Sequence, residues 1–214
     1  MHFIDHFRAA RRLARFLLSA FDLNVRFGGL ESAVSTAGPA VIVMGEAGPV
    51  AQAVLLGYYP RPFHAAVRPG LWRRLPFSPF ASRLGILEFP LGAGHTAWRM
   101  WLREATRLLQ AGERIVFFLP ARRSDIPRLC PELSAAALLC RMTGCAFIPV
   151  ASDGCLKALP PGTLVPRVGD IRFLVGNPVF SRTDVALPER SRDWARMFQT
   201  DVEILQHRLI STFS

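Results

Sequence analysis

The acidic residue Glu46 stands where a short apolar run of the chain breaks into a turn. The run reads Val-Ile-Val-Met at 41–44, which is typical of a buried strand, and the turn reads Gly-Glu-Ala-Gly-Pro at 45–49. A buried strand that ends in a Gly/Pro turn presents the turn side chain at the edge of a sheet. Glu46 is therefore a candidate reactive carboxylate, and the alternative is a solvated acid on a surface turn.

Arginine dominates the charge of the chain. Lys157 is the only lysine among 214 residues, yet the net charge at pH 7 is +10. A basic surface suits anionic partners: nucleic acid, phospholipid headgroups, or a phosphorylated or acyl-carrier substrate. The charge selects this class of partner without choosing among its members.

The four cysteines argue against a metal site or a disulfide framework. They form no Cys-x-x-Cys pair and have no histidine at ligand spacing, so we expect buried, reduced thiols in a cytoplasmic protein. No run of eighteen apolar residues predicts a membrane span. Charges interleave with the apolar residues at the N-terminus, which disfavours a signal peptide. The cysteines are Cys130, Cys140, Cys145 and Cys155.

An amphipathic helix is predicted over residues 3–22, and we treat 1–23 as a segment distinct from an α/β domain at 24–214. Such a helix can lie in a membrane interface or pack on its own domain. Phe16 and Leu18 widen its apolar face. Trp72, with the two arginines after it, is a further candidate membrane contact. The apolar stripe is Phe3, Phe7, Ala10, Ala14, Leu17 and Phe21, and the basic stripe is Arg8, Arg11, Arg12 and Arg15.

Strand and helix patterns alternate along the rest of the chain. This order predicts a single α/β domain with a central, mostly parallel sheet flanked by helices, and with the N-terminal helix packed at one edge. Thr96 is the expected cap of one helix, and Gly144 the stop of another. Predicted strands are 24–27, 40–44, 63–67, 86–89, 114–119, 145–151 and 171–175, and predicted helices are 51–56, 96–111, 132–143 and 194–209.

Several segments at consistent spacing resemble the glycerolipid acyltransferase family, whose familiar members acylate lysophosphatidic acid. The resemblance covers roughly residues 20–180. The segments that carry it are RFGGLE at 26–31, GPAVIV at 38–43, VRPGL at 67–71, LLQAGERIVFF at 108–118, IPV at 148–150 and VGNPV at 175–179.

The chain departs from the family at the positions of its chemistry. Family members carry Asn-His, four residues and then Asp after the first of these strands, and the His and Asp positions hold Glu46 and Ala51. The third motif, Phe-Pro-Glu-Gly-Thr-Arg-Ser, reads Phe-Leu-Pro-Ala-Arg-Arg-Ser at 118–124, with Pro120 at the glutamate position. The arginine expected in the second motif falls on Pro90.

The resemblance implies acyl transfer from a thioester, with a histidine as base and an aspartate that orients it. A carboxylate with the ordinary pKa of about 4.3 is a weak base for an alcohol, so Glu46 would need burial that raises its pKa toward about 6–7. His95 is a second candidate catalytic residue, and His64 is another possible stand-in. For either histidine the alternative is an incidental residue.

The resemblance also implies a phosphate site made by Arg68, Arg122 and Arg123, with Ser124. A planar guanidinium binds phosphate bidentately, and the alternative is a solvated cationic turn. Acyl-CoA or an acyl carrier protein is the implied acyl donor, with no other cofactor and no metal. The implied partners are a membrane phospholipid or lysolipid, and an acyl carrier protein or partner enzyme.

We therefore expect a divergent lysophospholipid acyltransferase-like protein, cytoplasmic and attached peripherally to the inner face of the membrane. It binds a phospholipid-type or acyl-thioester ligand and is catalytically impaired, as a pseudoenzyme or an accessory subunit. The first alternative is an active acyltransferase that uses Glu46 or a displaced histidine. The second is a basic nucleic-acid-binding domain, which lacks support because no aromatic-plus-basic strand signature is present.

Overall fold

A computed structural model provides the structure of the chain. It describes residues 2–31, 36–45, 48–68, 85–119, 130–160, 163, 165–180 and 191–212. Five predicted site residues lie outside the described residues: Glu46, Trp72, Arg122, Arg123 and Ser124. The structure shows the surroundings of the predicted site through the neighbours of these residues.

Helices and strands alternate in the predicted order, and the α/β fold class is confirmed. One short helix, α5, was not predicted. The helix expected from Thr96 begins one residue earlier, after Gly94, and has no side-chain cap. The elements are α1 (His2–Ala20), β1 (Leu23–Gly28), β2 (Ala40–Met44), α2 (Pro49–Tyr58), β3 (His64–Val67), β4 (Ile86–Glu88), α3 (His95–Gln110), β5 (Arg114–Phe118), α4 (Pro131–Thr143), β6 (Ala146–Asp153), α5 (Cys155–Ala158), β7 (Gly169–Val175) and α6 (Ser191–Thr212).

The strands form one sheet in the order β1-β7-β6-β2-β5-β3-β4. The five strands from β6 to β4 run parallel to one another. Strand β7 is antiparallel to β6, and β1 is parallel to β7. The sheet is thus mostly parallel, as predicted, and it reverses direction once, between β6 and β7.

Helices cover both faces of the sheet. Every residue of β2 and β5 is buried, as expected for central strands that are covered on both sides. Successive side chains of β2 alternate between two apolar clusters. Ile42 and Met44 pack toward α1 and α2, which we call the α1–α2 layer. Val41 and Val43 pack toward α3, α4 and α6, which we call the α3–α4–α6 layer.

Helix α1 crosses a face of the sheet, and the prediction that it packs at one edge is wrong. Its start lies over β3, where the ring of Phe3 stacks on His64 with centroids 4.4 Å apart. Its end leads directly into β1 at the opposite edge. Phe7 and Leu18 are buried in the same cluster as the central strand residues. The helix is therefore part of the core of this domain.

The five parallel strands bring their carboxyl ends to the same edge of the sheet. Met44 is level with Phe118, and Val67 is level with Glu88. Because Ala66 of β3 pairs with Phe117 of β5, these four strand ends are all level with one another. The next residue of each strand lies just beyond this edge, which we call the carboxyl rim. Its described residues are Gly45, Arg68, Phe89 and Leu119.

Candidate functional site

The carboxyl rim is held by hydrogen bonds that extend the strand ladders by one residue. Leu119 N donates to Met44 O at 2.8 Å, and Phe89 N donates to Val67 O at 2.7 Å. Gly45 N donates to Val150 O at 3.1 Å. The residues that leave the sheet toward the predicted catalytic and phosphate-binding segments therefore start from fixed backbone positions.

Gly45 is fixed from two further sides, by residues that the sequence analysis did not identify. The Ser152 hydroxyl donates to Gly45 O at 3.1 Å, and Gln206 of α6 donates to Ser152 O at 2.7 Å. Both residues break an apolar pattern, Ser152 at the end of the apolar strand β6 and Gln206 beside the buried residues of α6. This chain of bonds ties the start of the turn that carries Glu46 to the last helix.

Ala51, at the position of the family aspartate, lies inside the apolar core. It belongs to the first turn of α2, which begins at Pro49, and it is fully buried. It belongs to the same cluster as Val54 and Met44. The structure thus places a methyl group, packed among aliphatic side chains, where the resemblance implies an orienting carboxylate.

Arg68, the described member of the predicted phosphate site, forms an ion pair with Glu132 in the first turn of α4. Arg68 Nε donates to Glu132 Oε1 at 2.6 Å. The Arg68 side chain is 46% exposed, whereas that of Glu132 is 2% exposed. This hydrogen bond raises the pKa of Arg68 above its ordinary value. The guanidinium therefore keeps its charge at the rim.

Glu132 was missed in the sequence analysis because it looks like an ordinary acid at the start of a helix. Its first turn is the normal place for a solvated carboxylate. The structure shows instead that Oε2 is buried and has no hydrogen-bond partner among the described residues. Next to it, burial raises the pKa of the Cys130 thiol to about 11. Glu132 and Cys130 are thus both buried at the start of α4.

The two histidines that could replace the base lie away from the start of the predicted catalytic turn. His64 is at the amino end of β3, so the rise per strand residue puts it roughly 13 Å below the carboxyl rim. Burial lowers its pKa, an effect opposed by Glu104 and by the carbonyl of Gly85. His95 is exposed at the first residue of α3, beyond the edge strand β4. Strand β4 is three strand spacings, about 14 Å, from β2.

Pro90, at the position of the family arginine, lines an apolar cavity of about 530 Å³ beside the turn between β4 and α3. Phe89, Leu91, Met100 and Trp101 contribute to its wall. The indole nitrogen of Trp101 is buried and has no hydrogen-bond partner in the described part of the chain. The described residues that line this cavity are mostly apolar and include the acid Glu88 but no cation, so they suit an apolar group better than a phosphate.

The four arginines of α1 divide into two pairs. Arg11 Nε and Arg15 Nε both donate to Gly57 O, at 3.0 and 2.6 Å, and so tie α1 to the end of α2. Arg8 and Arg12 are exposed. Arg15 is exposed as well, although its Nε is held at Gly57, so Arg8 and Arg12 are the two exposed arginines of α1 that lie outside this contact.

Helix α1 also has two apolar surfaces. Phe7 and Leu18, from the predicted apolar side, are buried in the core. Leu13, Phe16 and Leu17 are exposed instead, and we call these three residues the outer strip. Among the described residues, no helix is long and apolar enough to cross a membrane.

Comparisons with known proteins identify the fold. No family model matches the chain, and no curated protein sequence matches it. The structure is similar to the crystal structure of the 1-acyl-sn-glycerophosphate (LPA) acyltransferase, PlsC, from Thermotoga maritima, with a TM-score of 0.72. The two share 16% sequence identity, and the match covers 97% of this chain and 80% of that chain. At this identity the likeness concerns the fold, and we conclude that the chain has an acyltransferase-like α/β fold.

Proposed function

We propose that the protein is a lysophospholipid acyltransferase-like protein that works at a membrane surface and transfers acyl groups slowly or not at all. It binds a phospholipid-type or acyl-thioester ligand at the carboxyl rim and serves as a pseudoenzyme or an accessory subunit. It is attached to the cytoplasmic, inner face of the membrane. Acyl-CoA or an acyl carrier protein is the donor that it would meet there.

The burial of Ala51 in the apolar core is the observation that carries the loss of catalysis. A methyl group can neither orient an imidazole nor stabilise a developing charge, which are the roles of an acid in such a pair. General-base assistance contributes about a hundred- to ten-thousand-fold to a rate. A chain without the histidine and aspartate can still raise the rate by holding the reactants together, but by a smaller factor.

Membrane attachment is supported by the outer strip and the exposed arginines Arg8 and Arg12 of α1. Strand β1 starts level with Gly169, which lies past the carboxyl end of β6 in the register of β7. The C-terminal half of α1, which carries the outer strip, is therefore on the same side of the sheet as the carboxyl rim. An apolar strip beside Arg8 and Arg12 suits insertion among anionic headgroups. The rim would then face the lipid surface.

Binding of a phosphorylated ligand is supported by the position of Arg68. Its guanidinium is charged and half-exposed at the carboxyl rim. Strand β3 is two strand spacings, roughly 10 Å, from β2, the strand that Gly45 follows. A lysolipid phosphate on Arg68 and a hydroxyl near Gly45 would thus be separated by a distance that one small headgroup spans.

A single-turnover assay tests the proposal. An acyl thioester and lysophosphatidic acid are mixed with excess protein on anionic vesicles, and the acylated product is measured. The unmodified chain is compared with Glu46→Gln and with Glu46→His/Ala51→Asp, and binding of the lysolipid is measured for each. We expect lipid binding without measurable turnover in the unmodified chain.

Robust turnover that Glu46→Gln abolishes would overturn the loss of catalysis and make Glu46 the base. Turnover that is indifferent to Glu46→Gln would direct the search to His95 and His64. A chain that binds neither lysolipid nor thioester, and binds a nucleic-acid panel instead in a salt-dependent way, would overturn the proposal as a whole.

A further inference from the structure

Glu132 is the one carboxylate that is buried within the described part of the chain. It follows Pro131 in the first turn of α4, a helix whose other buried residues are apolar or small. The helix dipole favours a carboxylate at this position. Removing a carboxylate from water costs more free energy than this dipole returns. The position of Glu132 therefore calls for an explanation beyond helix stability.

The bond from Arg68 accounts for one oxygen of Glu132 and fixes the arginine in return. The 2.6 Å contact engages Nε, which is one of the five N–H donors of the guanidinium. Because the guanidinium is planar, holding Nε fixes the plane in which the remaining donors lie. An unrestrained arginine side chain loses rotamer entropy when a ligand orders it. An arginine that is already held loses less.

The location of the Arg68–Glu132 ion pair indicates the role of the fixed arginine. Arg68 is the described cation of the carboxyl rim, and its side chain is half-exposed there while its partner is buried beneath it. Val67 packs in the α1–α2 layer, so the alternation of β3 directs Arg68 toward the opposite layer, where α4 lies. The buried carboxylate thus anchors the inner side of a guanidinium whose outer part faces solvent.

We propose that Glu132 is a positioning residue that orients Arg68 to receive the phosphate monoester of a single-chain phospholipid. This inference rests on the proposed function, since it concerns the ligand of the same rim. The carboxylate also offsets part of the charge of Arg68, which weakens attraction to anions in general. A ligand that engages the planar donors in the correct geometry is then favoured over one that merely carries negative charge.

A double-mutant cycle on ligand affinity tests the inference. Affinities of soluble short-chain lysophosphatidic acid and of its dephosphorylated counterpart are measured for the full chain and for Arg68→Ala, Glu132→Ala and the double variant. Arg68→Ala should weaken binding of the phosphorylated lipid about 10- to 100-fold, the loss expected for one charge-assisted contact. Glu132→Ala should cause a loss of similar size, and the double variant should bind no more weakly than Arg68→Ala. The dephosphorylated lipid should bind all four proteins alike.

Two further sets of variants separate orientation from stability. Glu132→Gln keeps the size of the side chain and an oxygen that accepts from Nε, so it should restore most of the affinity lost in Glu132→Ala. In an Arg68→Lys background, Glu132→Ala should have no effect on the affinity, because an ammonium has no plane to orient. Glu104 and Arg107 form an exposed pair on α3, at 2.7 Å, and provide the matched control. Their Gln and Ala variants should leave both affinities unchanged.

The outcomes distinguish this inference from the proposed function. If the full chain binds both lipids alike, the phosphate site and the role of Glu132 are both overturned. If Arg68→Ala loses affinity while Glu132→Ala does not, the proposed site stands and the positioning role is overturned. Equal losses for Glu132→Ala in the presence and absence of Arg68 would make Glu132 a stabilising residue only. If Glu132→Ala does not fold, Glu132→Leu, which removes the acceptor oxygens and keeps a side chain of similar volume, takes its place in the cycle and decides in the same way.

Discussion

At the scale of the residue, the buried position of Ala51 does not tolerate a carboxylate as a surface turn would. The side chain is fully buried in the first turn of α2, among aliphatic neighbours. A carboxylate there has to be paired or it remains an isolated charge in the core. Restoring the family pair is therefore a test of folding as well as of catalysis.

We expect Ala51→Asp alone to lower the free energy of unfolding by about 3–5 kcal/mol, the usual consequence of an uncompensated buried charge. Gln52→Asp, at the next residue of the same turn and half-buried, is the matched control and should change it by about 0.5 kcal/mol or less. Urea denaturation followed by circular dichroism measures both. Equal stability of Ala51→Asp and the control would show that this part of the core is open to water.

His64 predicts a dependence of stability on pH. Burial lowers its folded pKa, while the unfolded residue keeps its ordinary value of 6.5. Below that pH the unfolded state binds a proton that the folded state lacks. The contribution of His64 is therefore fully present above about pH 6.5, and it is lost as the pH falls from there through the folded pKa. Urea midpoints measured between pH 5 and 8 should fall less steeply toward acid in His64→Gln than in the unmodified chain. His95→Gln, which alters an exposed histidine, should leave the slope unchanged.

The ion pair of Arg68 with Glu132 shows why the sequence analysis identified one partner of a contact and missed the other. Arg68 was proposed because its segment, VRPGL at 67–71, resembles one that carries a basic residue in the acyltransferase family. Glu132 could not be, since the first turn of a helix is a normal place for a solvated acid and its burial depends on how α4 packs on the sheet. Ser152 and Gln206 were missed for the same reason, because their bonds to the rim join β2, β6 and α6.

At the scale of the element, α1 has both a buried apolar side and an exposed one, which the sequence analysis treated as alternatives. One apolar side, with Phe7 and Leu18, packs on the domain, and the outer strip remains exposed. Its 19 residues make a helix about 28 Å long, close to the width of roughly 29 Å of a seven-stranded sheet. The edge placement was wrong because the distance from the start of α1 to β1 is set by strand order, which the local pattern does not contain.

We expect Phe16→Ser to weaken binding to anionic vesicles about tenfold or more, because burying a phenylalanine side chain contributes roughly 1.5–3 kcal/mol. Met142 is 51% exposed in the last turn of α4, which leads into the start of β6 at the end of the sheet opposite to the carboxyl rim, so Met142→Ser is the control and should bind normally. Sedimentation with vesicles measures both. Equal losses in the two variants would show that exposed apolar surface in general, and not the outer strip, determines binding.

The exposed arginines Arg8 and Arg12 of α1 should account for the salt dependence of the same binding. Arg8→Gln/Arg12→Gln should weaken binding at low salt and flatten its decline as salt is added. Arg99→Gln/Arg103→Gln on α3 removes the same charge elsewhere and serves as control. An unchanged salt dependence in the α1 double variant would contradict a headgroup contact at this helix.

At the scale of the whole molecule, the alternation of strands and helices predicted the α/β class, and the apolar run at 114–119 predicted the strand β5. The strand order could not be predicted. Leu23 pairs with Gly169, and no local pattern fixes a register across that separation. The single antiparallel pair, β6 with β7, likewise follows from how the segment after α5 returns to the sheet.

Substitution of Gly29 tests how closely β1 and β7, the first and last strands in the sequence, are held together. Its φ is +73°, and a Cβ there would lie 2.1 Å from Val175 O, at the end of β7. Gly92 has a φ of +74° with nothing within 4 Å of a Cβ. Gly92→Ala should therefore cost about 1–2 kcal/mol of stability from its backbone conformation alone. Gly29→Ala should cost about 4 kcal/mol or more, because the backbone of β7 also has to move. Equal losses by denaturant titration would mean that β1 and β7 separate there easily.

The pairing of β1 with β7 also has a consequence for biosynthesis. A ribosome that adds about 5–20 residues per second needs on the order of ten seconds to reach β7 after it has made β1. Throughout that interval the backbone of β1 has no neighbouring strand, because β7 is its neighbour in the finished sheet. Unpaired strand edges of this kind promote aggregation. The nascent chain is therefore most vulnerable until β7 has left the exit tunnel, and an early contact of α1 with a lipid surface or a chaperone would protect it during that time.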